Sequence, residues 1–221
     1  MTQQPHSMTY LPSRITRPIK NDLMLLNISD SALFIGRRVT VGELSEGVDS
    51  GEINMLCRVA SLYIRGVLLP KKITFAIVML EELSRADSDA SKCKSLNVRY
   101  VLGQAYNVVG AYDKAYKVFY ELAHERNHGL SHIMLSGYYK YGIFVKKSPE
   151  LRENHLNLGA ETGDTQSKHL YAKYLLGNDD IFSRFIGFFK IVMNYPRLVS
   201  AVFDESYSGR EFIGNMKVSL V

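Results

Sequence analysis

The sequence is poor in the residues that build a covalent or metal-held scaffold, because it has two cysteines, Cys57 and Cys93, and no tryptophan. Two cysteines cannot form a disulfide framework or a cysteine-based zinc cluster, and such a low content suits a reducing compartment. Long hydrophobic runs are also lacking. The longest stretches without Asp, Glu, Lys or Arg, such as 100–112, have 13 residues, whereas a membrane-spanning helix needs about 20. We therefore expect a cytoplasmic protein without a transmembrane anchor.

The N-terminus lacks the apolar segment of a secretory signal. Residues 1–20 contain three of the six prolines, no acidic residue, and Arg14, Arg17 and Lys20. This composition predicts a flexible basic tail. The net charge of +5, from 27 basic and 22 acidic residues, is too small to indicate nucleic-acid binding by itself.

The remaining sequence is that of a globular, all-α protein. Hydrophobic residues make up 46% and charged residues 22% of the 221 residues, which excludes wholesale disorder. Apolar residues recur at helical spacing, as in Ala115, Val118, Phe119 and Leu122, and we find no alternating runs long enough for a large sheet.

A short motif repeats along the chain. Leu102-Gly103-x-x-Tyr106 returns after 33 residues as Leu135-Ser136-x-x-Tyr139, and after 35 more as Leu170-Tyr171-x-x-Tyr174; an earlier copy begins at Tyr63. A period of this length is typical of helix pairs stacked into a solenoid. Glycines follow each tyrosine (Gly66, Gly110, Gly142 and Gly177) and are expected to end the first helix in the left-handed conformation.

These residues resemble two related repeat families. The stretch 102–119 resembles a tetratricopeptide repeat, while 63–76 and 159–170 resemble the Sel-one-like repeat, which has a longer turn between its helices. The resemblance covers residues 48–195 and implies a right-handed α-solenoid of about four helix pairs. Arg152 and Gly187 depart from it, because they occupy positions where the repeat usually has alanine.

The repeat register predicts the elements. The expected pairs are 52–65 with 71–84, 95–108 with 112–125, 130–141 with 149–161, and 165–176 with 180–194. The expected organisation is the tail over 1–20, an N-terminal helical extension or degenerate repeat over 21–50, the solenoid over 51–195, and a C-terminal helix and tail over 196–221. Tyr106, Tyr139 and Tyr174 should be buried between helices, and Ala115 should lie at a helix crossing.

One motif raises the question of catalysis. His124-Glu125-Arg126-Asn127-His128 has the H-E-x-x-H spacing of zinc hydrolases, which requires one continuous helix. The register instead places 126–130 in a turn. We therefore predict no enzyme, no catalytic residue, no metal site and no cofactor, and keep a zinc hydrolase as the third alternative. Replacing His124 and His128 by alanine should then leave stability nearly unchanged.

The resemblance implies that the first helix of each pair lines a concave groove. Carried onto this sequence, the groove-facing residues are Asn97, Tyr100, Gln104, Asn107, Lys140, Tyr141 and Lys168. Amides and tyrosines on such a surface suit hydrogen bonding to an extended peptide. The alternative is that these are ordinary exposed helix residues.

The segment 181–195 is apolar over more of its circumference than one neighbouring helix can cover. Phe185 and Phe189 lie on this wide apolar face. Three covers remain open: the chain's own tail 197–221, a partner subunit that includes a second copy of this chain, or a membrane surface attracted by Arg184, Lys190 and Arg197.

The sequence thus predicts a non-catalytic scaffold or adaptor that binds a partner protein through the groove, the apolar C-terminal helix or both. The alternative is a peripheral accessory factor of a bacterial membrane-associated machinery, for secretion or surface-polysaccharide biosynthesis, which the family resemblance implies. In that case the cytoplasmic protein would be membrane-associated.

Overall fold

The structure, a computed structural model, describes residues 11–34, 37–86, 92–177, 182–191 and 193. The chain divides into two compact units, with the boundary between Val109 and Gly110. Both are built mainly from helices, as the all-α prediction requires. The strands of the described part are confined to one two-stranded hairpin.

The first unit contains five helices and the hairpin within its described residues. Its elements are α1 (Ser13–Met24), β1 (Ser31–Phe34), β2 (Arg37–Thr40), α2 (Val41–Ser50), α3 (Ile53–Arg65), α4 (Ile73–Ala86) and α5 (Lys92–Val108). In the second unit, the elements are α6 (Tyr112–Arg126), α7 (Gly129–Tyr141), α8 (Pro149–Glu161) and α9 (Thr165–Leu176). A further helix over residues 182–191 is called the terminal helix below. From α3 onward, these bounds follow the predicted helices closely.

The prediction of a flexible tail is wrong from Ser13 onward, because these residues begin α1. Ile15, Ile19 and Leu23 recur every four residues and are buried, so one apolar stripe fixes the helix to its unit. Two of the basic residues are used in ion pairs, Arg14 with Glu82 and Lys20 with Asp49. The prolines at 12 and 18 misled the prediction, although Pro12 only precedes the first turn.

The prediction for residues 21–50 is wrong over the hairpin. β1 and β2 pair antiparallel from Ser31 with Thr40 to Phe34 with Arg37. Thr40 then starts α2 through a capping box, in which the Glu43 backbone N–H donates to Thr40 Oγ1 (3.2 Å) and the Thr40 backbone N–H donates to the Glu43 carboxylate (2.7 Å). The segment therefore contributes one complete helix and a hairpin in place of a helix pair.

The same turn ends the first helix of two pairs. Gly66 and Gly142 have φ of 67° and 70°, and Leu68 and Phe144, two residues later, have φ of 66° and 61°. The backbone N–H of Lys72 donates to the Tyr63 carbonyl (3.0 Å), and that of Ser148 donates to the equivalent Tyr139 carbonyl (3.1 Å). These two pairs therefore share one long turn, which repeats in detail.

The glycines of the other two pairs differ from each other. Gly110 has a φ of 78° and fits the predicted left-handed ending. Gly177 has a φ of −83°, in the right-handed region, so the prediction is wrong for it. The backbone N–H of Gly177 instead lies against the carbonyls of the last turn of α9, which tightens that turn.

The repeated tyrosines form equivalent hydrogen bonds to a preceding helix. The Tyr63 hydroxyl donates to Asp22 (2.7 Å), that of Tyr106 donates to Glu81 (2.6 Å), and that of Tyr174 donates to Glu153 (3.1 Å). The Tyr139 hydroxyl pairs with that of Tyr116 (2.9 Å). Tyr106, Tyr139 and Tyr174 are half-buried, so the prediction of largely buried rings is wrong for these three. Their polar partners lie near the helix surface and hold each ring at the edge of the packed layer. Burial and Glu81 raise the pKa of Tyr106 to about 12.

Ala115, predicted to lie at a helix crossing, is fully buried in α6. The core that α6 and α7 form is aromatic, with Tyr138 packed edge-on against Tyr112, Tyr116 and Phe119. A longer side chain at position 115 would have to enter this packed interior.

The first prediction tests this packing. Ala115→Leu should lower the free energy of unfolding by about 1–3 kcal/mol, because the extra methylenes overpack a filled core. Urea unfolding followed by circular dichroism measures the loss. Lys117→Ala, on the exposed side of the same helix, is the control. An Ala115→Leu variant as stable as the wild type would contradict the packing.

Candidate functional site

The terminal helix packs on α9 through its smallest residue. A Cβ on Gly187 would lie 2.7 Å from the Ala172 carbonyl oxygen and 2.8 Å from the Leu176 amide nitrogen, so the two helices are in backbone contact there. Gly187 occupies the position where the repeat usually has alanine, and glycine allows a still closer approach. This contact determines which side of the terminal helix points away from the unit.

The side that points away is aromatic. Phe185 and Phe189 are 67% and 56% exposed, and Phe182, Phe188 and Met193 are exposed as well. We call these five residues the aromatic face. Arg184 and Lys190 are exposed beside it, and neither α9 nor the described residues 182–193 contain a carboxylate. The predicted cover by the chain's own tail, 197–221, lies outside the described residues.

A cleft of about 370 Å³ adjoins the aromatic face between α8, α9 and the terminal helix. It is lined by Asn157, Ala160, Glu161, Lys168, Tyr171, Phe189, Lys190 and Met193. Lys190 Nζ lies 4.6 Å from the centre of the Tyr171 ring, which is a cation–π distance. Asn157 Nδ2 donates to Glu161 Oε1 (2.8 Å), so the wall from α8 is held by its own hydrogen bond.

Electrostatics inside the cleft are mixed. Burial, together with the charges of Glu153 and Glu161, raises the pKa of Tyr171, so its hydroxyl remains a hydrogen-bond donor. Lys168 and Lys190 supply two cations to the same lining. The cleft therefore combines an apolar wall with groups that bind carboxylates and carbonyls.

Of the predicted groove residues, Lys168 lines this cleft together with Phe189. Lys140 and Tyr141 lie at the end of α7, where Lys140 Nζ donates to the Tyr141 hydroxyl (2.8 Å). Asn97 and Asn107 are half-buried on α5. These residues remain predictions as partner contacts.

Tyr100 and Gln104 do not form a groove surface, because they are only 1% and 3% exposed. Their helix, α5, packs against both α3 and α4, so the side that the resemblance assigns to a groove is buried within the first unit. The prediction is corrected for these two positions.

The H-E-x-x-H motif is not on one helix. α6 ends at Arg126, Asn127 has a left-handed φ of 52°, and His128 is the residue that precedes α7. His128 Nδ1 lies 2.8 Å from Ser131 Oγ. The geometry of the zinc-hydrolase helix is therefore absent, and among the described residues no group of three or more His, Cys, Asp or Glu side chains is arranged to hold a metal ion.

His124 joins a different group, which sequence reasoning missed. The ring centres of His124, His132 and His155 lie 5.3–5.6 Å apart, and they come from α6, α7 and α8. We call these three residues the histidine cluster. His132 and His155 are buried. Because His132 and His155 are 23 residues apart in the sequence, no local sequence pattern predicts their contact, which forms only when α7 packs on α8.

The described helices include none that is both long and apolar enough to cross a bilayer. No known family profile matches the sequence, and no curated protein matches it significantly. One solved structure that it resembles is a Sel1 (Sel-one-like) repeat protein from Oxalobacter formigenes. The two share 17% identity with a TM-score of 0.50, over 69% of this chain and 62% of that one.

The chain has a Sel1-repeat fold. The match confirms the predicted fold class, an all-α solenoid of helix pairs. The chain spans 62% of the length of the Oxalobacter protein, and at this identity the likeness concerns the fold.

The second prediction concerns the histidines of the motif. The purified protein should contain no stoichiometric zinc by elemental analysis, because the helix ends between His124 and His128, where Asn127 is left-handed. The contacts of the two histidines change the expectation for the double alanine variant: His124→Ala with His128→Ala should lower the melting temperature, since His124 stacks on Tyr120 and His128 contacts Ser131. One zinc ion per chain, lost in this variant, would contradict the account.

Proposed function

We propose that this Sel1-repeat protein is a non-catalytic scaffold that holds a partner protein against the second unit. The observation that carries the proposal is the exposed aromatic face beside the cleft. The fold supports a scaffold because repeats of this kind present extended surfaces for binding. Lys140 and Tyr141 of the second unit are proposed as additional contacts, and Asn97 and Asn107 as separate candidate contacts of the first unit.

The size and chemistry of the aromatic face support a protein partner. Contiguous exposed apolar surface is uncommon on soluble monomers and marks interaction sites. Aromatic side chains and arginine are enriched at interfaces and supply most of their binding energy. Phe185 and Phe189 occupy the middle of the described terminal helix, with Arg184 next to them.

The lining of the cleft supports a partner segment that carries both an apolar and an acidic group. Lys168 and Lys190 favour a carboxylate, while Phe189 and Met193 favour an apolar side chain. Asn157 offers an amide on the opposite wall. We propose that the partner inserts a segment with an apolar anchor next to an acidic residue, as amphipathic helices and extended peptides do.

The second candidate is the membrane-associated accessory factor. Arg184 and Lys190 flank the phenylalanines, and an apolar helix with such basic residues suits contact with anionic lipid. The shaped cleft with its polar wall on α8 favours a protein, since a lipid surface makes no use of it. Binding to vesicles would favour the second candidate.

The third prediction tests the aromatic face. Phe185→Asp with Phe189→Asp should abolish retention of the partner in pull-downs analysed by quantitative mass spectrometry, because it places two charges in an apolar interface. The melting temperature should change little, since both side chains are exposed. Met24→Asp with Leu25→Asp, two even more exposed apolar positions of the first unit, is the control. Asn107→Ala is expected to have the smaller effect.

Two measurements on the purified chain separate the alternatives. Light scattering should give the mass of a monomer, and the protein should not sediment with vesicles of anionic phospholipid. A dimer, or vesicle binding, that disappears in Phe185→Asp with Phe189→Asp would contradict the proposal and assign the face to a second copy or to a membrane.

A further inference from the structure

The histidine cluster contains a direct contact between two buried imidazoles. His132 Nδ1 and His155 Nδ1 lie 3.0 Å apart, and the two side chains are only 3% and 5% exposed. The His155 ring also stacks on Tyr139, with ring planes 10° apart. This contact joins α7 to α8 in the interior of the second unit.

A neutral imidazole carries one N–H and one lone pair, so the contact holds when one Nδ1 donates its proton and the other accepts it. The contact between the two rings therefore requires that at least one of them be neutral.

We propose that the histidine cluster makes the second unit acid-sensitive, so that protonation of the His132–His155 pair loosens α8 from α7. A first proton charges a buried ring. A second proton consumes the only lone pair of the contact and leaves two N–H groups facing each other at hydrogen-bond distance. The pair then repels where it had attracted.

The charged groups of the described residues around the pair do not compensate the positive charge that protonation would add. From α6, His124 faces both rings and stacks on Tyr120. From α7, Tyr139 covers His155. At the start of α9, Asp164 acts on His128, whereas the charges that act on the pair come from the histidines themselves. Each added proton therefore makes the next one less favourable.

The direction of the pKa shifts agrees with this geometry. Burial, followed by His132 and His124, lowers the pKa of His155 from 6.5 to about 4. Burial and His124 also lower the pKa of His132, against an opposing contribution from the Ala123 backbone, which favours the protonated ring. In the unfolded chain, histidine binds its proton near 6.5. The unfolded state thus holds more protons between pH 6.5 and 4, and stability is lost as the pH falls through this range.

The consequence reaches the proposed binding site through α8. Asn157, Ala160 and Glu161, which form one wall of the cleft, follow His155 on this helix. Loosening α8 from α7 therefore disturbs the wall. This step rests on the proposed function, whereas the acid sensitivity of the second unit does not and can be measured without a partner.

The fourth prediction compares the melting temperature of the full chain at pH 7.5, 6.5, 5.5 and 4.5, by circular dichroism. The wild type should melt at progressively lower temperature below pH 6.5. In His155→Asn, the amide Nδ2–H can still donate to His132 Nδ1 but does not titrate. We expect the slope of melting temperature against pH to fall by about half, because His128, whose pKa is also lowered to about 4, continues to contribute.

Tyr139→Phe is the control for simple destabilisation. It removes the hydrogen bond to Tyr116 but keeps a ring over His155, so the melting temperature should drop equally at every pH. A His155→Asn slope equal to that of the wild type would overturn the proposal.

If His155→Asn fails to fold, a second measurement tests the proposal on the wild type. In the wild type, the NMR signal of the His155 ring Hε1 should keep its neutral shift down to about pH 5. A midpoint near 6.5 would overturn the proposal. The loss of partner binding in Phe185→Asp with Phe189→Asp is a separate result. If that variant keeps its partner, the proposed function is wrong, whereas the predicted pH dependence of stability is unaffected.

Discussion

The rest of the structure depends on the turn that ends the first helix of a long-turn pair. Gly66 and Gly142 enter the left-handed region, and a second left-handed residue, Leu68 or Phe144, follows two positions later. For a residue with a side chain, this conformation costs about 1–2 kcal/mol. The backbone hydrogen bonds back to Tyr63 and Tyr139 offset part of this cost. They also set where the second helix of the pair begins.

Once the turns fix the direction of the helices, close approach decides how they pack. Gly159 lies on the Gly129 carbonyl, so that α7 and α8 nearly touch. Gly187 brings the terminal helix onto α9 in the same way. This second contact is the one with functional consequences, because a small residue on the packed side leaves the phenylalanines on the other.

Local patterns were enough to predict the helices from 53 onward. The spacing of Tyr63, Tyr106, Tyr139 and Tyr174 reports a repeat, and a repeat fixes both the turns and the helix lengths. The N-terminal segment follows no repeat, and there the prolines outweighed the apolar stripe of Ile15, Ile19 and Leu23. The same stripe shows that burial against a unit can hold a helix with proline inside it.

The candidate site was only partly predictable, for a physical reason. The apolar excess of 181–195 is a property of one segment, so the sequence shows that Phe185 and Phe189 need a cover beyond one neighbouring helix, and the structure leaves both of them exposed. The cleft requires three helices, and Lys168 is the groove prediction that lies in it. The groove prediction is wrong for Tyr100 and Gln104 because the resemblance does not tell how many helices pack on α5. The histidine cluster combines three helices and has no counterpart in the local sequence.

The central claim is that a partner protein covers the aromatic face, and photo-crosslinking in the native cell tests it most directly. A benzophenone amino acid at position 185 should give one crosslinked protein species, which the same probe at Leu25, an even more exposed apolar position of the first unit, does not give. The species should disappear when Phe189→Asp is added. Crosslinks at position 185 only to lipid or to a second copy of this chain would contradict the claim.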